Sequence, residues 1–206
     1  MEKNKDILTM LKEAGILFVI TIFAGILLGF IYELTKDPIK VQEEKAKQDA
    51  CKAVFASASE FEETTDFDKL IGTLSFDEGV SIGKVYRAKK DSGETLGYVI
   101  ESASSKGYGG DIDLYIGIDV SGKIGGISIL EISETAGLGM RAEEVLSPQF
   151  KEKKAESFVF TKSGAVESNE IDAISGATVT TKAYTEAVNG AVTVFERINE
   201  GGGSDE

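Results

Sequence analysis

Ile112-Asp113-Leu114-Tyr115-Ile116-Gly117-Ile118-Asp119-Val120 alternates without a slip, with Ile112, Leu114, Ile116, Ile118 and Val120 on one parity and Asp113, Tyr115, Gly117 and Asp119 on the other. A period of two places the aliphatic set on one side of an extended chain, so the stretch predicts a β-strand with one buried face. Ser121-Gly122 supplies a turn, and Lys123 to Ile132 returns as an antiparallel partner. Gly125-Gly126 within that return marks a bulge or a close backbone approach. Upstream, Lys84 to Ala88 and Leu96 to Ile100 flank the turn-rich Asp91-Ser92-Gly93-Glu94, which reads as another hairpin. Residues 61–80 are acidic, contain glycine and lack a firm period, predicting mixed helix and loop. Downstream, Val188, Ala191, Val192, Phe195 and Ile198 fall at helical spacing, and Gly201-Gly202-Gly203 stops that helix before a flexible tail, 201–206. Strands followed by a helix, without β-α-β alternation, predict an α+β domain: a twisted antiparallel sheet flanked by helices over 61–200.

Working outward to the N-terminus, Ala14 to Tyr32 is nineteen residues without a charge. At 1.5 Å per residue it spans about 28 Å, close to the ~30 Å hydrocarbon core of a bilayer. A transmembrane helix over 14–32 is therefore expected, after a short tail over 1–13. A cleaved signal peptide is disfavoured, because Tyr32-Glu33-Leu34-Thr35 lacks a small-x-small cleavage pattern. Gly25 and Gly29 form a Gly-x-x-x-Gly spacing, which is either a helix-packing face or the ordinary glycine content of membrane helices. Lysines stand on both sides of the span, so their count does not decide its orientation. Pro38 opens a charged stretch to about Phe55, read as a juxtamembrane helix or stalk within 33–60.

Composition removes whole classes of function. The formal charge is −13, with no clustered basic segment, which argues against nucleic acid as a partner. There is no His, no Trp and one cysteine, Cys51. Four-thiolate iron–sulfur sites, ordinary zinc sites, c-type haem attachment and Ser-His or Cys-His nucleophile pairs all need residues this chain lacks. Any redox role thus calls for an organic cofactor.

The stretch richest in chemistry is Asp172-Ala173-Ile174-Ser175-Gly176-Ala177-Thr178-Val179-Thr180-Thr181, directly before the C-terminal helix. Small residues leave the backbone open, and a hydroxyl at a helix N-terminus meets free amides and a dipole that favour a phosphate. Two readings follow from the residues: an anion-binding helix start, or hydroxyls that compete to cap the helix.

Asp172-x-x-Ser175-Gly176-Ala177-Thr178 resembles the flavinylation motif of the FMN-binding domain family, in which a flavin transferase joins the FMN phosphate to the last Thr of the motif. Glu134-Thr135-Ala136-Gly137-Leu138-Gly139-Met140 is similar to a second family segment, a glycine-rich turn beside the flavin, with Ala136 where many relatives have Pro. Tyr108-Gly109-Gly110 resembles a third. Within that family, chain length and a single N-terminal helix look most like the G subunits of Rnf electron-transport complexes, with the C subunits of sodium-pumping NADH:quinone reductases as the runner-up. The resemblance implies FMN held covalently by Thr178 in an electron-carrying subunit that is non-catalytic alone. Its partners would be other subunits of a membrane redox complex and, during maturation, the flavin transferase. Its location would be the bacterial cell membrane, single-pass, with the flavin domain on the extracytoplasmic side. By the same resemblance Ser175, Gly176 and Ala177 would be recognised by the transferase, and Asp172 would position its metal–FMN substrate. Glu134, Thr135, Gly137, Leu138, Gly139, Met140 and Tyr108 would lie near the flavin, Thr135 giving a hydrogen bond and Leu138 an apolar contact to the ring. Lys182, in the first turn of the helix, is either a partner of the phosphate or a solvated lysine. The competing functions are a membrane-tethered assembly module without redox role and a stand-alone flavoenzyme.

Overall fold

The structure is a computed structural model that describes residues 2–201 and divides into two compact units, residues 1–45 and 46–206. The tail beyond Gly201 lies outside the described residues. Helix α1, Glu2–Val54, runs unbroken through the expected tail, the membrane span and most of the 33–60 stalk, and Pro38 sits inside it rather than opening a new helix. Between Met10 and Val54 it is long and apolar enough to cross a membrane.

From Ala46 the last turns of α1 belong to the second unit. Strands β1 (Glu60–Thr64), β2 (Val80–Lys89), β3 (Thr95–Ser104), β4 (Ile112–Asp119) and β5 (Ile124–Ile132) form an antiparallel meander in chain order, with a one-turn helix α2 (Asp68–Ile71) between the first two. The two expected hairpins are both present: β2 turns into β3 where Lys90 N–H meets Glu94 O at 2.9 Å, and β4 into β5 through Gly122.

Two expectations need correction. The segment after residue 60 begins with a strand, β1, whose pattern is hidden because it is an edge carrying mostly charge. Its Glu62 and Glu63 pair across the strands with Lys89 and Lys84. Strand β4, in turn, is buried on both faces, not one. Its Ile112, Leu114, Ile116 and Ile118 face the main core, while Tyr115 and Gly117 are buried on the opposite side under Ala50, Cys51, Val54 and Phe55. Val120 stands beyond the strand and is exposed.

The main core is closed by α5, Thr178–Gly201, which lays Val188, Ala191, Val192, Phe195 and Ile198 against the sheet as its spacing predicts. Between β5 and α5 the chain forms a 3₁₀ turn (Gly139–Arg141), two one-turn helices, α3 (Ala142–Val145) and α4 (Ser147–Phe150), and a small parallel pair, β6 (Val159–Thr161) with β7 (Glu170–Asp172). The Gly125-Gly126 signal resolves as both a bulge and a close approach. The register slips there, and a Cβ on Gly126 would lie 3.3 Å from Val54 Cα. The second unit is thus an α+β domain: one antiparallel sheet with α5 on one face and the end of α1 on the other.

Candidate functional site

Helix α5 begins where Ser175-Gly176 turns the chain, with Gly176 at φ +79° and the amide of Ala177 bonded to Ile174 O at 3.0 Å. That φ suits glycine and strains other residues. The four hydroxyls of the motif behave differently. Thr181 Oγ1 donates to Ala177 O at 2.9 Å and accepts Ile174 N–H at 3.1 Å, so it is fully engaged in holding the turn to the helix. Among the described residues, no hydrogen bond engages Thr178 Oγ1 or Ser175 Oγ, and no acceptor takes the amide protons of Thr178, Val179 or Thr180. The capping reading therefore applies to Thr181, as a tie across the turn, and not to Thr178. Thr178 is the first residue of α5, half-buried, with three free amides beside it.

Their residues line a cleft of about 440 Å³ together with Tyr108, Glu134, Thr135, Leu138, Gly139, Gly176 and Ala177. Three segments far apart in sequence converge on it. The 107–110 turn lies against the end of β5, where a Cβ on Gly109 would sit 2.2 Å from Ser133 O. The 134–140 turn is closed by Leu138 N–H and Met140 N–H on Thr135 O, at 3.1 and 3.3 Å, with Gly137 at φ +76°. Leu138 Cδ2 reaches across to the motif, 3.2 Å from where a Cβ on Gly176 would be.

Eight of the thirteen residues singled out in the sequence therefore line one cleft. Val179 and Thr180 join them; both stand in the quoted hydroxyl-rich stretch, Thr180 as a capping candidate, but neither was expected at the cofactor, although their place in the first turn of the helix was the available signal. Gly137, Met140 and Ser175 lie in the adjoining turns but not in the lining. Asp172 ends β7, where its Oδ1 accepts Ala165 N–H at 2.6 Å and its backbone is clasped by the Gln149 side chain. Lys182 points elsewhere. It pairs with Glu186 at 3.5 Å and lines a separate depression with Asp77 and Asn189, so the geometry gives it no place beside Thr178.

Below the cleft, α4 and α5 are joined by a 2.7 Å bond between the buried hydroxyls of Ser147 and Tyr184. Burial pushes the Tyr184 phenol well above its usual range, so it stays neutral and structural. On the other sheet face, burial pushes the Cys51 thiol up to about 12, which leaves it unreactive.

Two family models match the chain. One, described as the FMN-binding domain, matches residues 107–193, a range that holds every residue of the cleft; the other, the RnfG N-terminal region, matches residues 1–54. The chain is 33% identical over 193 residues to the G subunit of the Na(+)-translocating ferredoxin:NAD(+) oxidoreductase complex of Acetobacterium woodii, covering 92% of this chain and 93% of that protein. It is 32% identical to the G subunit of the proton-translocating ferredoxin:NAD(+) oxidoreductase complex of Clostridium ljungdahlii, covering 93% of this chain and 95% of that one. Among solved structures, that of Shewanella oneidensis NqrC is similar with a TM-score of 0.47 and 22% identity, over 66% of this chain and 75% of that one.

Proposed function

From the premise that the chain belongs to the family of Rnf complex G subunits, we propose that it is the membrane-anchored flavoprotein subunit of an ion-translocating ferredoxin:NAD oxidoreductase. In this reading its FMN is esterified to Thr178. The observation that carries the proposal is the cleft itself, which joins a half-buried, unengaged Thr178 hydroxyl to three free helix amides and two glycine turns.

The cleft fits FMN on its own terms. Its volume lies within the roughly 300–1,000 Å³ of small-molecule sites. Leu138, Val179 and Tyr108 offer apolar and aromatic surface for the ring, and the free amides of 178–180 offer donors for a phosphate. Bound there, FMN would supply the electron-accepting and electron-donating chemistry that no side chain of this sequence provides. The protein's part is to tether, orient and tune. Esterification would form a bond from Thr178 Oγ to phosphorus at the expense of a phosphorus–oxygen bond of the transferase's flavin-phosphate donor, whose departing oxygen would take the hydroxyl proton, a net gain to the chain of one FMN less one water. Ser175 and Gly176, exposed on the turn, present that hydroxyl to a flavin transferase. Electrons then pass between this subunit and others of the membrane complex, and the tether prevents loss of the cofactor on the extracytoplasmic side, where the reading places the domain.

The deciding test is co-expression with an active flavin transferase, full denaturation, and intact mass beside a Thr178→Val control. The expected result is a gain of one FMN less water in the native chain only. An unmodified chain despite active transferase overturns the covalent reading. A C-terminal alkaline phosphatase fusion, active in cells only if the domain is exported, tests its side.

A further inference from the structure

The Glu134 carboxylate touches more of the cleft than any role as a flavin contact requires. Its Oε1 accepts the Tyr108 backbone N–H at 2.7 Å. A Cβ on Gly107 would lie 2.8 Å from that same oxygen, and a Cβ on Gly139 would lie 2.8 Å from Oε2 and from Glu134 Cβ. The side chain thus fills a slot that exists because both flanking residues are glycines, one from each turn. Tyr108, whose amide it holds, is 74% exposed and lines the cleft, so little packing fixes it, and among the described residues the bond from its amide to Glu134 is the hydrogen bond that ties it to the 134–140 turn.

We infer that Glu134 is a positioning residue: its carboxylate latches the 107–110 turn to the 134–140 turn, and thereby holds the Tyr108 ring as the aromatic wall of the cofactor cleft. This rests on the flavin reading of the cleft and assigns Glu134 a role through Tyr108 instead of on the flavin. Among the described residues, no other side-chain hydrogen bond joins these two turns. Since the contact needs an acceptor and the right length, glutamine satisfies it, whereas alanine and the shorter aspartate do not.

Flavin fluorescence reads the consequence, because a tyrosine ring stacked near a flavin quenches it by donating an electron to the excited state. The experiment uses the full chain, co-expressed with transferase and purified in detergent, with covalent loading checked first by mass. Glu134→Ala and Tyr108→Leu should each raise the flavin emission, by similar factors, and the double variant should rise no further than Tyr108→Leu alone. Glu134→Gln should match the native chain. If Glu134→Ala does not fold, Glu134→Asp carries the same test. Additive effects, or a Glu134→Gln variant that behaves like the alanine variant, would overturn the latch. A separate readout needs no flavin: hydrogen exchange of the peptide containing the Tyr108 amide should be at least tenfold slower in the native chain than in Glu134→Ala or Glu134→Asp. Equal exchange rates refute the inference. A native chain that never gains the FMN mass, yet shows this protection, refutes only the flavin reading.

Discussion

Gly117 on β4 lies so close to Phe55, just past the end of α1, that a Cβ at residue 117 would sit 3.0 Å from both Cδ2 and Cε2 of the ring. Gly97 on β3 meets the same ring, its Cβ position lying 2.7 Å from Phe55 Cζ. The far face of the sheet is bare there so that the end of α1 can seat on it, burying Ala88, Val99 and Tyr115. Phe55→Ala should therefore destabilise the domain by about 3–5 kcal/mol, the range for truncating a buried aromatic. Chemical denaturation of the full chain in detergent, followed by tyrosine fluorescence, measures it; a loss under about 1 kcal/mol would mean that the seat contributes little.

Two threonines three residues apart should respond oppositely to the same substitution. Thr181→Val removes the acceptor of the Ile174 amide and the donor to Ala177 O inside a buried turn, which costs about 1–3 kcal/mol. Thr178→Val breaks no hydrogen bond among the described residues and should leave stability within about 0.5 kcal/mol, while abolishing flavin addition. Melting curves and intact masses of both variants separate the structural hydroxyl from the proposed acceptor.

How far the sequence carries can be seen residue by residue. The alternation of Ile112 to Ile118 and the spacing of Val188 to Ile198 are strong periodic signals, and both elements stand where those signals put them. Tyr115 and Gly117 look solvent-facing in the sequence because alternation reports one core, while the second is made by α1, some sixty residues earlier in the chain. Strand β1 is invisible for the converse reason: Glu62 and Glu63 are stabilised by cross-strand lysines, a property of the partner and not of the segment. In the cleft, turn glycines and a hydroxyl run are legible because they need special backbone. The Glu134 latch and the diversion of Lys182 toward Glu186 depend on tertiary placement, which no local pattern encodes.

Asp113 should make the fold less stable at neutral pH than it would be without the charge. Burial raises its pKa, and Glu131, Asp111 and Glu101 add to the rise; Glu131 is its direct cross-strand neighbour. An acid whose folded pKa lies above its unfolded value binds more protons when folded, so stability falls as pH climbs from the unfolded pKa through the folded one. The penalty is fully present above the folded pKa and fades below it. Asp113→Asn is expected to melt higher than the native chain at neutral pH, the gap closing as pH falls toward the ordinary aspartate range. A gap that is absent at neutral pH, or that widens on acidification, would contradict this origin.

Asp172 and Glu170, which flank Ile171 in β7, both spend carboxylate oxygens on the loop that precedes them. Asp172 Oδ1 takes Ala165 N–H, and Glu170 Oε2 takes Val166 N–H at 2.7 Å and Glu167 N–H at 3.1 Å, which holds the Glu170 carboxyl below its usual range. The motif aspartate is therefore the anchor of Ala165, and Glu170 that of the next two residues, of which Val166 is 89% exposed. Its other oxygen accepts no hydrogen bond among the described residues, which leaves it available for the positioning role that the proposed function gives it. The two roles come apart under substitution. Asp172→Asn keeps an acceptor for Ala165 but loses the charge, so the loop should resist proteolysis as in the native chain while flavin loading slows. Asp172→Ala should lose both, with cleavage appearing within 163–167. If Asp172→Asn loads flavin at the native rate, the carboxylate serves the loop alone.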